Sequence, residues 1–392
     1  MCTAEQVLAL DDSGIWRDDL RRSRADPCNQ LASGVAYIVS CSMATSSLPV
    51  LKKSWRWCIK KPMDTGVLDV AGAQGSMHIE PLPDGRHRVS VVPAPGYTVE
   101  RRNWVTSYPV PLIREIHAVK DLFVCDEIMR EENPLYCELW LRHEVLGYLP
   151  PEAFADKRIL DFGCGAGASV MILSRLLTPS CEIVGLDLEE KLLKLARLRL
   201  AHFGRTSVQL LQSPSGDALP PDLGQFDFIL LNAVFEHLLP DERSTLLPKL
   251  WAHLRPGGCL FINQTPYRYS PVEVHTTGGM LFVNYLSDRL ALHVLRSMCK
   301  RVARGEEWST LLRRGIRGAT VPEIIGILGG RAHAVLQQPM PSVGDRIDLW
   351  LATLSTRHAW LKRTIWAALK ALKAISGNEL TPSLALAIRK AG

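Results

Sequence analysis

The sequence predicts a doubly wound α/β fold built on a mostly parallel sheet. Three observations carry that expectation. Residues 158–167 read as a short apolar strand that runs into a turn with glycine at alternate positions, Gly163, Gly165 and Gly167. A second apolar run, 182–187, ends in Asp187, 20 residues past Gly167. From 157 to 264, strand-like runs alternate with helical periodicity, which implies parallel strands covered on both faces.

Ahead of that core, residues 1–107 read as an N-terminal extension. A strand-like run at 34–41 carries no legible chemistry. Residues 65–105 predict a small antiparallel element, with runs at 76–81 and 87–92 joined by the turn Pro83-Asp84-Gly85. Residues 108–150 read as helices: 111–124, a charged stretch 125–133 stopped by Pro134, and 136–149. The acids in the charged stretch are expected on a solvated face, because charged side chains are rarely buried. The alternative places Asp126 or Arg130 in a lid.

Within the core, strands are predicted near 158–162, 182–187, 208–212, 226–231 and 259–264. Helical patterns fall between them, among them 168–177, 192–203 and 241–254. Further on come helices at 286–301 and 321–328, then two strand-like runs, 331–338 and 347–353. The main domain is thus bounded at 108–356.

The remaining tail, 357–392, opens with a basic amphipathic helix over 357–375. Leu361, Ile365, Ala368, Leu369 and Leu372 share one stripe, flanked by Trp360 and Trp366. Arg357, Lys362, Arg363, Lys370 and Lys373 lie mostly elsewhere. An apolar stripe ordinarily faces a core, so the expectation is a helix docked on the domain by that stripe. The alternative is peripheral contact with a membrane surface, with tryptophan at the interface.

The 392 residues suffice for two domains, or one domain with large additions. Hydrophobic content of 47% and charged content of 22% fit an ordinary globular chain. No window offers the roughly 20 apolar residues that span a bilayer. Nor does the N-terminus have a basic-then-apolar leader layout, so a cytoplasmic location is expected, extending to the inner membrane face if the tail binds there. Ten cysteines are scattered without a C-x-x-C pair or a cysteine–histidine cluster at zinc spacing. The net charge of +6 is uneven: residues 296–392 hold 16 Lys/Arg against 6 Asp/Glu, leaving the rest of the chain net acidic. A basic C-terminal quarter points to an anionic partner.

The run Asp161-x-Gly163-x-Gly165-x-Gly167 has an acid before the first glycine and none of the G-x-G-x-x-G spacing of dinucleotide folds. It resembles motif I of class I S-adenosylmethionine (SAM) dependent methyltransferases, in particular the broad type 11 small-molecule group. Other landmarks of that family follow in order: Asp217-Ala218 after the third strand, Asn232 to His237 at the mouth of the fourth, and Arg255-Pro256-Gly257-Gly258 before the fifth. The resemblance covers roughly residues 120–355 and implies a Rossmann-like, seven-stranded sheet closed by the antiparallel pair at 331–338 and 347–353. It also implies SAM as cofactor. Contacts would come from Asp161, Phe162, Gly163, Cys164, Gly165 and Gly167, and from Asp187 and Leu188 at the ribose. Asp217 and Ala218 would meet the adenine, and Asn232 lies at the sheet mouth. Cys164 reads as a small filler of the turn, since methyl transfer from a sulfonium needs no enzyme thiolate.

Acceptor activation is less legible. His237, beside Glu236 just past the fourth strand, is the first candidate base; a structural Glu-His pair at a helix start is the plain alternative. His275, in a long loop with Tyr267 and Tyr269, is the second, against a simple surface histidine. The expected acceptor is a small molecule, glycan or lipid-linked intermediate, methylated on oxygen or nitrogen. An NAD-type oxidoreductase would share the fold and the ribose acid but not the glycine spacing. A nucleic-acid methyltransferase would suit the basic tail, yet Asn232-Ala233-Val234-Phe235 lacks the prolines that base-extruding enzymes carry there.

Overall fold

The computed structural model describes residues 68–72, 74–95, 101–205, 207–216, 218–354 and 359–392. The expected strand at 34–41, Asp217 and Arg357 lie outside these residues.

A four-stranded antiparallel meander comes first: β1 (Leu68–Ala71), β2 (Gly75–Pro81), β3 (His87–Pro93) and β4 (Arg102–Thr106). The β2–β3 turn is the predicted one, closed by Gly85, whose φ of +82° suits a residue without Cβ. Helices α1 (Val110–Lys120) and α2 (Val124–Glu132) pack on the meander around Met77, Val89, Ile113 and Ile128. The predicted helix over 111–124 is broken at Asp121, which has φ +47°. The expected helix over 136–149 is regular only in α3 (Leu139–Glu144).

The acidic stretch does not face solvent. Glu127 and Glu131 are buried, and each meets a cation from the core. Fully buried Arg199 reaches Glu127 Oε1 at 2.9 Å, while Arg175 pairs with Glu131, which also accepts from the Tyr108 hydroxyl at 2.6 Å. Burial opposes ionisation of Glu127, but Arg199 and Lys120 hold its carboxyl below the usual range. These pairs fasten α2, which packs on the meander, to the core.

The core follows the predicted alternation: β5 (Arg158–Phe162), α4 (Ala168–Leu176), β6 (Glu182–Asp187), α5 (Glu190–His202), β7 (Val208–Gln212), β8 (Phe226–Asn232), α6 (Pro240–His253) and β9 (Leu254–Pro266). A lobe then leaves the sheet, with the short pair β10 (Val272–Glu273) and β11 (Met280–Leu281), then α7 (Asp288–Met298) and α8 (Trp308–Arg313). It has its own small core around Leu295, Leu311 and Ile316. The chain returns through α9 (Val321–Ile327), β12 (Ala334–Leu336), α10 (Arg346–Ala352), α11 (Ala359–Ser376) and β13 (Ser383–Lys390).

The large sheet has seven strands in the order β12-β13-β9-β8-β5-β6-β7. β5 to β9 are parallel, and β13 is antiparallel to both of its neighbours, β9 and β12. Two expectations need correction here. The run 347–353 is helix α10, and the inner closing strand is β13, drawn from the tail. The boundary at 357 therefore cuts through the sheet domain. Moreover, α11 docks by the edge opposite to the one expected. Lys370 and Lys373 reach Asp345 at 2.8 and 2.6 Å, and Trp366 Nε1 donates to Asp348 at 2.8 Å. The apolar stripe points outward: Leu361, Ile365, Leu372 and Ile375 are exposed, as is Trp360.

Candidate functional site

The site lies at the C-terminal ends of β5, β6, β8 and β9, where open α/β sheets bind ligands. The glycine turn after β5 is tied to β6 by its own backbone. Gly163 and Cys164 N–H donate to the Leu186 carbonyl at 2.8 and 3.1 Å, and Gly167 N–H donates to the Cys164 carbonyl at 3.0 Å. Gly163 and Gly167 must be glycine for two reasons. Both have positive φ, and a Cβ on Gly163 would stand 2.5 Å from Val234 Cγ2, one on Gly167 2.6 Å from Ala196 Cβ. At Gly165 the reason is different: the place of its Cβ has nothing within 4 Å, so the turn presents bare backbone to open space.

Asp187 fastens the turn from the next strand. Its Oδ2 accepts from Gly165 N–H at 2.8 Å and its Oδ1 from Glu189 N–H at 3.0 Å. Each oxygen keeps a further lone pair, enough for two more donors. Beside it, Leu188 is about half exposed, leaving an apolar side chain at the rim. Ala218 is held near Ser213, whose hydroxyl donates to the Ala218 carbonyl at 2.6 Å.

Asp161 is buried under the turn. It accepts from the Ser169 hydroxyl and from Asn232 Nδ2, the latter at 3.2 Å; Asn263 Nδ2 in turn donates to Asn232 Oδ1 at 3.0 Å. Burial pushes the Asp161 carboxyl up to about 6, against the pull of Ser169 and Asn232. Phe162 and Cys164 are buried packing residues. Burial raises the Cys164 thiol well above its ordinary value, which fits a filler and not a nucleophile.

The second cluster sits past β8. Glu236 is fully buried; its Oε2 accepts from the Thr265 hydroxyl at 3.1 Å, and its Oε1 has no donor. His237 Nε2 and His275 Nε2 face that oxygen at 3.7 and 3.8 Å. The fold thus unites three residues that the sequence offered as separate candidates. Nor is His275 the surface histidine of the plain reading. Burial lowers its pKa.

Two further charged residues near the site were missed or undervalued. Glu144, at the end of α3, is buried beside Gln264 and Glu236, and burial raises its carboxyl well above the ordinary value. A lone acid on an amphipathic helix gave no signal. Arg130, on α2, makes no salt bridge among the described residues. Its guanidinium lies 6.0 Å from the centroid of the Tyr136 ring, and its charge offsets part of the burial that raises the Cys137 thiol.

The methyltransferase-domain family profile matches residues 160–260, the stretch that contains this turn and both clusters apart from Glu144, Asn263, Thr265 and His275. Carboxy-S-adenosyl-L-methionine synthase of Photobacterium profundum is 30% identical over 128 residues, 32% of this chain and 51% of that protein. The Vibrio cholerae enzyme of the same name is 30% identical over 120 residues, 30% of this chain and 47% of its own. The chain thus spans about half the length of the curated relatives it matches. Among solved structures, TrmN from Thermus thermophilus is 27% identical over 29% of this chain and 34% of its own, with a TM-score of 0.26. The glycopeptide N-methyltransferase MtfA complexed with SAM is 22% identical over 30% of this chain and 52% of its own, also at 0.26. Residues 160–260, with the acid-led glycine turn at their start, thus match a methyltransferase domain, set in a seven-stranded sheet closed by β13 and β12.

Proposed function

We propose that the protein transfers the methyl group of SAM to an oxygen or nitrogen of a small-molecule, glycan or lipid-linked acceptor. The observation that carries this reading is Asp187. It fixes Gly165 by one lone pair and keeps two pairs open beside the bare backbone of the turn. The residues present fit the cofactor. Asp187 would take both ribose hydroxyls, Leu188 and Ala218 would flank the base, and Arg130 would hold the carboxylate of the methionine end. Asp161 supports the loop through Ser169 and Asn232 and supplies a negative charge toward the amino group. SAM, when bound, supplies an activated methyl on a sulfonium, and displacement leaves a neutral thioether. The protein's task is then alignment and desolvation.

Across from that turn, Glu236, His237, His275 and Glu144 would line the acceptor side. Tyr269, Tyr285 and Phe282 form an exposed aromatic group at the edge of the lobe, with ring centroids 6.2 Å apart from Tyr269 to Tyr285 and from Phe282 to Tyr285. A planar or sugar-like acceptor would stack there.

The outward stripe of α11 favours a membrane-associated acceptor, because its exposed leucines and isoleucines lie beside tryptophan and Arg363. No helix among the described residues is long and apolar enough to cross a membrane.

Calorimetry with SAM and with NADH, followed by mass spectrometry of metabolite extracts incubated with SAM, tests the assignment. A methyl-sized mass gain and SAM binding are expected. His237→Ala should lower turnover by roughly 100-fold or more with SAM affinity unchanged. Binding of NADH without SAM would overturn the reading.

A further inference from the structure

In the Glu236, His237 and His275 cluster, His237 can serve as a ligand in place of a free base. The cluster's donor atoms come from two separate segments: the turn after β8, and the β10–β11 loop, reached 38 residues later. His237 and Glu236 are each aimed by a partner on the far side, while His275 Nδ1 is buried without one. His237 Nδ1 lies 2.8 Å from the Arg313 carbonyl. A carbonyl can only accept, so Nδ1 carries the proton and Nε2 presents a lone pair toward Glu236. Glu236 Oε2 is occupied by Thr265, which leaves Oε1 as the free end. The loop bearing His275 is rigidly held. Glu273 accepts from Thr276 and Thr277 N–H at 2.9 and 2.7 Å, and Thr276 Oγ1 donates to the Arg314 carbonyl at 3.0 Å. The imidazole itself rests on Gly315, where a Cβ would come within 2.6 Å of the ring.

The geometry points to a binding site for a divalent transition-metal ion of the zinc class, held by Glu236 Oε1, His237 Nε2 and His275 Nε2. The three ligand atoms lie within 4.8 Å of one another, and the carboxylate oxygen stands 3.7 and 3.8 Å from the two nitrogens. Ligands about 2.0–2.2 Å from zinc at tetrahedral angles are roughly 3.3–3.6 Å apart, so the two carboxylate–imidazole separations need to close by only a few tenths of an ångström, and the two imidazole nitrogens, within 4.8 Å, by about an ångström at most. Oε1 is the independent sign. It belongs to a fully buried carboxylate and accepts no hydrogen bond, a costly arrangement unless a cation completes it. Two imidazoles and one carboxylate suit zinc better than magnesium or calcium, which prefer oxygen. The outer hydrogen bonds to the Arg313 carbonyl and the Thr265 hydroxyl are the kind that orient metal-bound side chains.

Three protein ligands leave a fourth position open. Resting on the methyltransferase reading above, that position would take the acceptor oxygen. An ion held there would lower the pKa of a bound hydroxyl, so that it could give up its proton to bulk water near neutral pH. Its oxygen then forms the new O–CH3 bond as the C–S bond breaks, and the electron pair of that bond stays on sulfur.

The test uses the full chain, dialysed against a chelator and titrated with Zn2+ alone. Metal content after gel filtration is read by mass spectrometry, and SAM binding is measured separately by calorimetry. One retained Zn2+ per chain is expected. Glu236→Gln, which keeps shape, and His275→Ala should each weaken Zn2+ binding by roughly 100-fold or more. SAM affinity and the circular dichroism spectrum should not change. Co2+ in place of Zn2+ should give the intense visible bands of low coordination in the wild type only. Equal, weak Zn2+ uptake by the wild type and both variants, with folding intact, would overturn the site. Zinc binding without SAM binding would leave the site standing and remove the methyltransferase reading instead.

Discussion

At the scale of single residues, Asp161 is the most informative group, because burial has moved its carboxyl from the ordinary range up to about 6. In the folded, ligand-free protein it keeps its proton at pH values where the unfolded chain has lost it. The native state therefore binds more protons between about pH 4 and 6, and its stability falls as pH rises across that window, by at most about 1.4 kcal/mol per unit. Asp161→Asn should flatten this slope, as read from chemical denaturation at a series of pH values; an unchanged slope would assign it to other groups. A cationic ligand works in the opposite direction. It favours the carboxylate, so SAM binding near pH 5–6 should release a proton, and affinity should decline as pH drops below about 6. Calorimetry in two buffers of different ionisation enthalpy measures that proton directly. Arg130 answers to a similar test at the same, methionine end of the cofactor. A charge-assisted bond is worth about 1.5–3 kcal/mol, so Arg130→Met should weaken SAM binding by roughly 10- to 100-fold. Unchanged affinity would place the methionine carboxylate elsewhere.

At the scale of elements, α11 shows how a correct periodicity can carry the wrong orientation. The stripe Leu361, Ile365, Ala368 and Leu372 is on one face as expected, and that face is turned outward. The physical reason lies in α10. Asp345 and Asp348 form a reciprocal cap, with Asp345 accepting from Ile347 and Asp348 N–H and Asp348 accepting from Asp345 N–H. Their remaining oxygens attract Lys370, Lys373 and Trp366. Four polar contacts therefore dock the helix before its apolar face finds a partner. Replacing Leu361, Ile365 and Ile375 by serine should leave the melting temperature nearly unchanged. It should reduce sedimentation with anionic phospholipid vesicles by roughly tenfold or more, given about 1.5–3 kcal/mol for each large side chain buried. Equal sedimentation of the wild type and the variant would exclude a lipid surface. The same cap explains the misread strand. Ile347 to Ala352 is a short apolar run that periodicity alone cannot assign, and the Asp-x-x-Asp signal ahead of it was the available discriminator. By contrast β5, β6, β8 and β9 were legible, since strands buried on both faces read as continuous apolar runs between glycines and acids. The cofactor turn was legible because its glycines answer to local sterics. The union of His275 with Glu236 and His237 was not, because it depends on how a whole lobe folds back over the sheet.

For the molecule as a whole, the decisive feature is that the last strand of the sequence lies inside the sheet. β13 pairs with β9 from Ser383 to Arg389 on one side and with β12 on the other. Leu384, Leu386 and Ile388 are buried in the main core. The Tyr148 hydroxyl donates to the Ala385 carbonyl at 2.6 Å, which joins the segment before β5 to the end of the chain, and Lys390 Nζ reaches the Trp251 and Leu254 carbonyls at 2.6 Å. A chain that stops after Ser376 loses those three side chains, each worth about 1.5–3 kcal/mol, together with every β9 and β12 hydrogen bond to the missing strand. That sum is of the order of an entire domain's stability of about 5–15 kcal/mol. The truncated protein should be insoluble or lack a cooperative thermal transition, even though α11 and the SAM turn are still encoded. Cooperative melting near the full-length temperature would mean that β13 is dispensable and that β9 can close the sheet alone. The consequence reaches the site itself, because β9 carries Asn263 and Thr265, which hold Asn232 and Glu236. Removing β13 should therefore abolish SAM and Zn2+ binding together, whereas the serine variant of α11, which leaves every strand paired, should keep both.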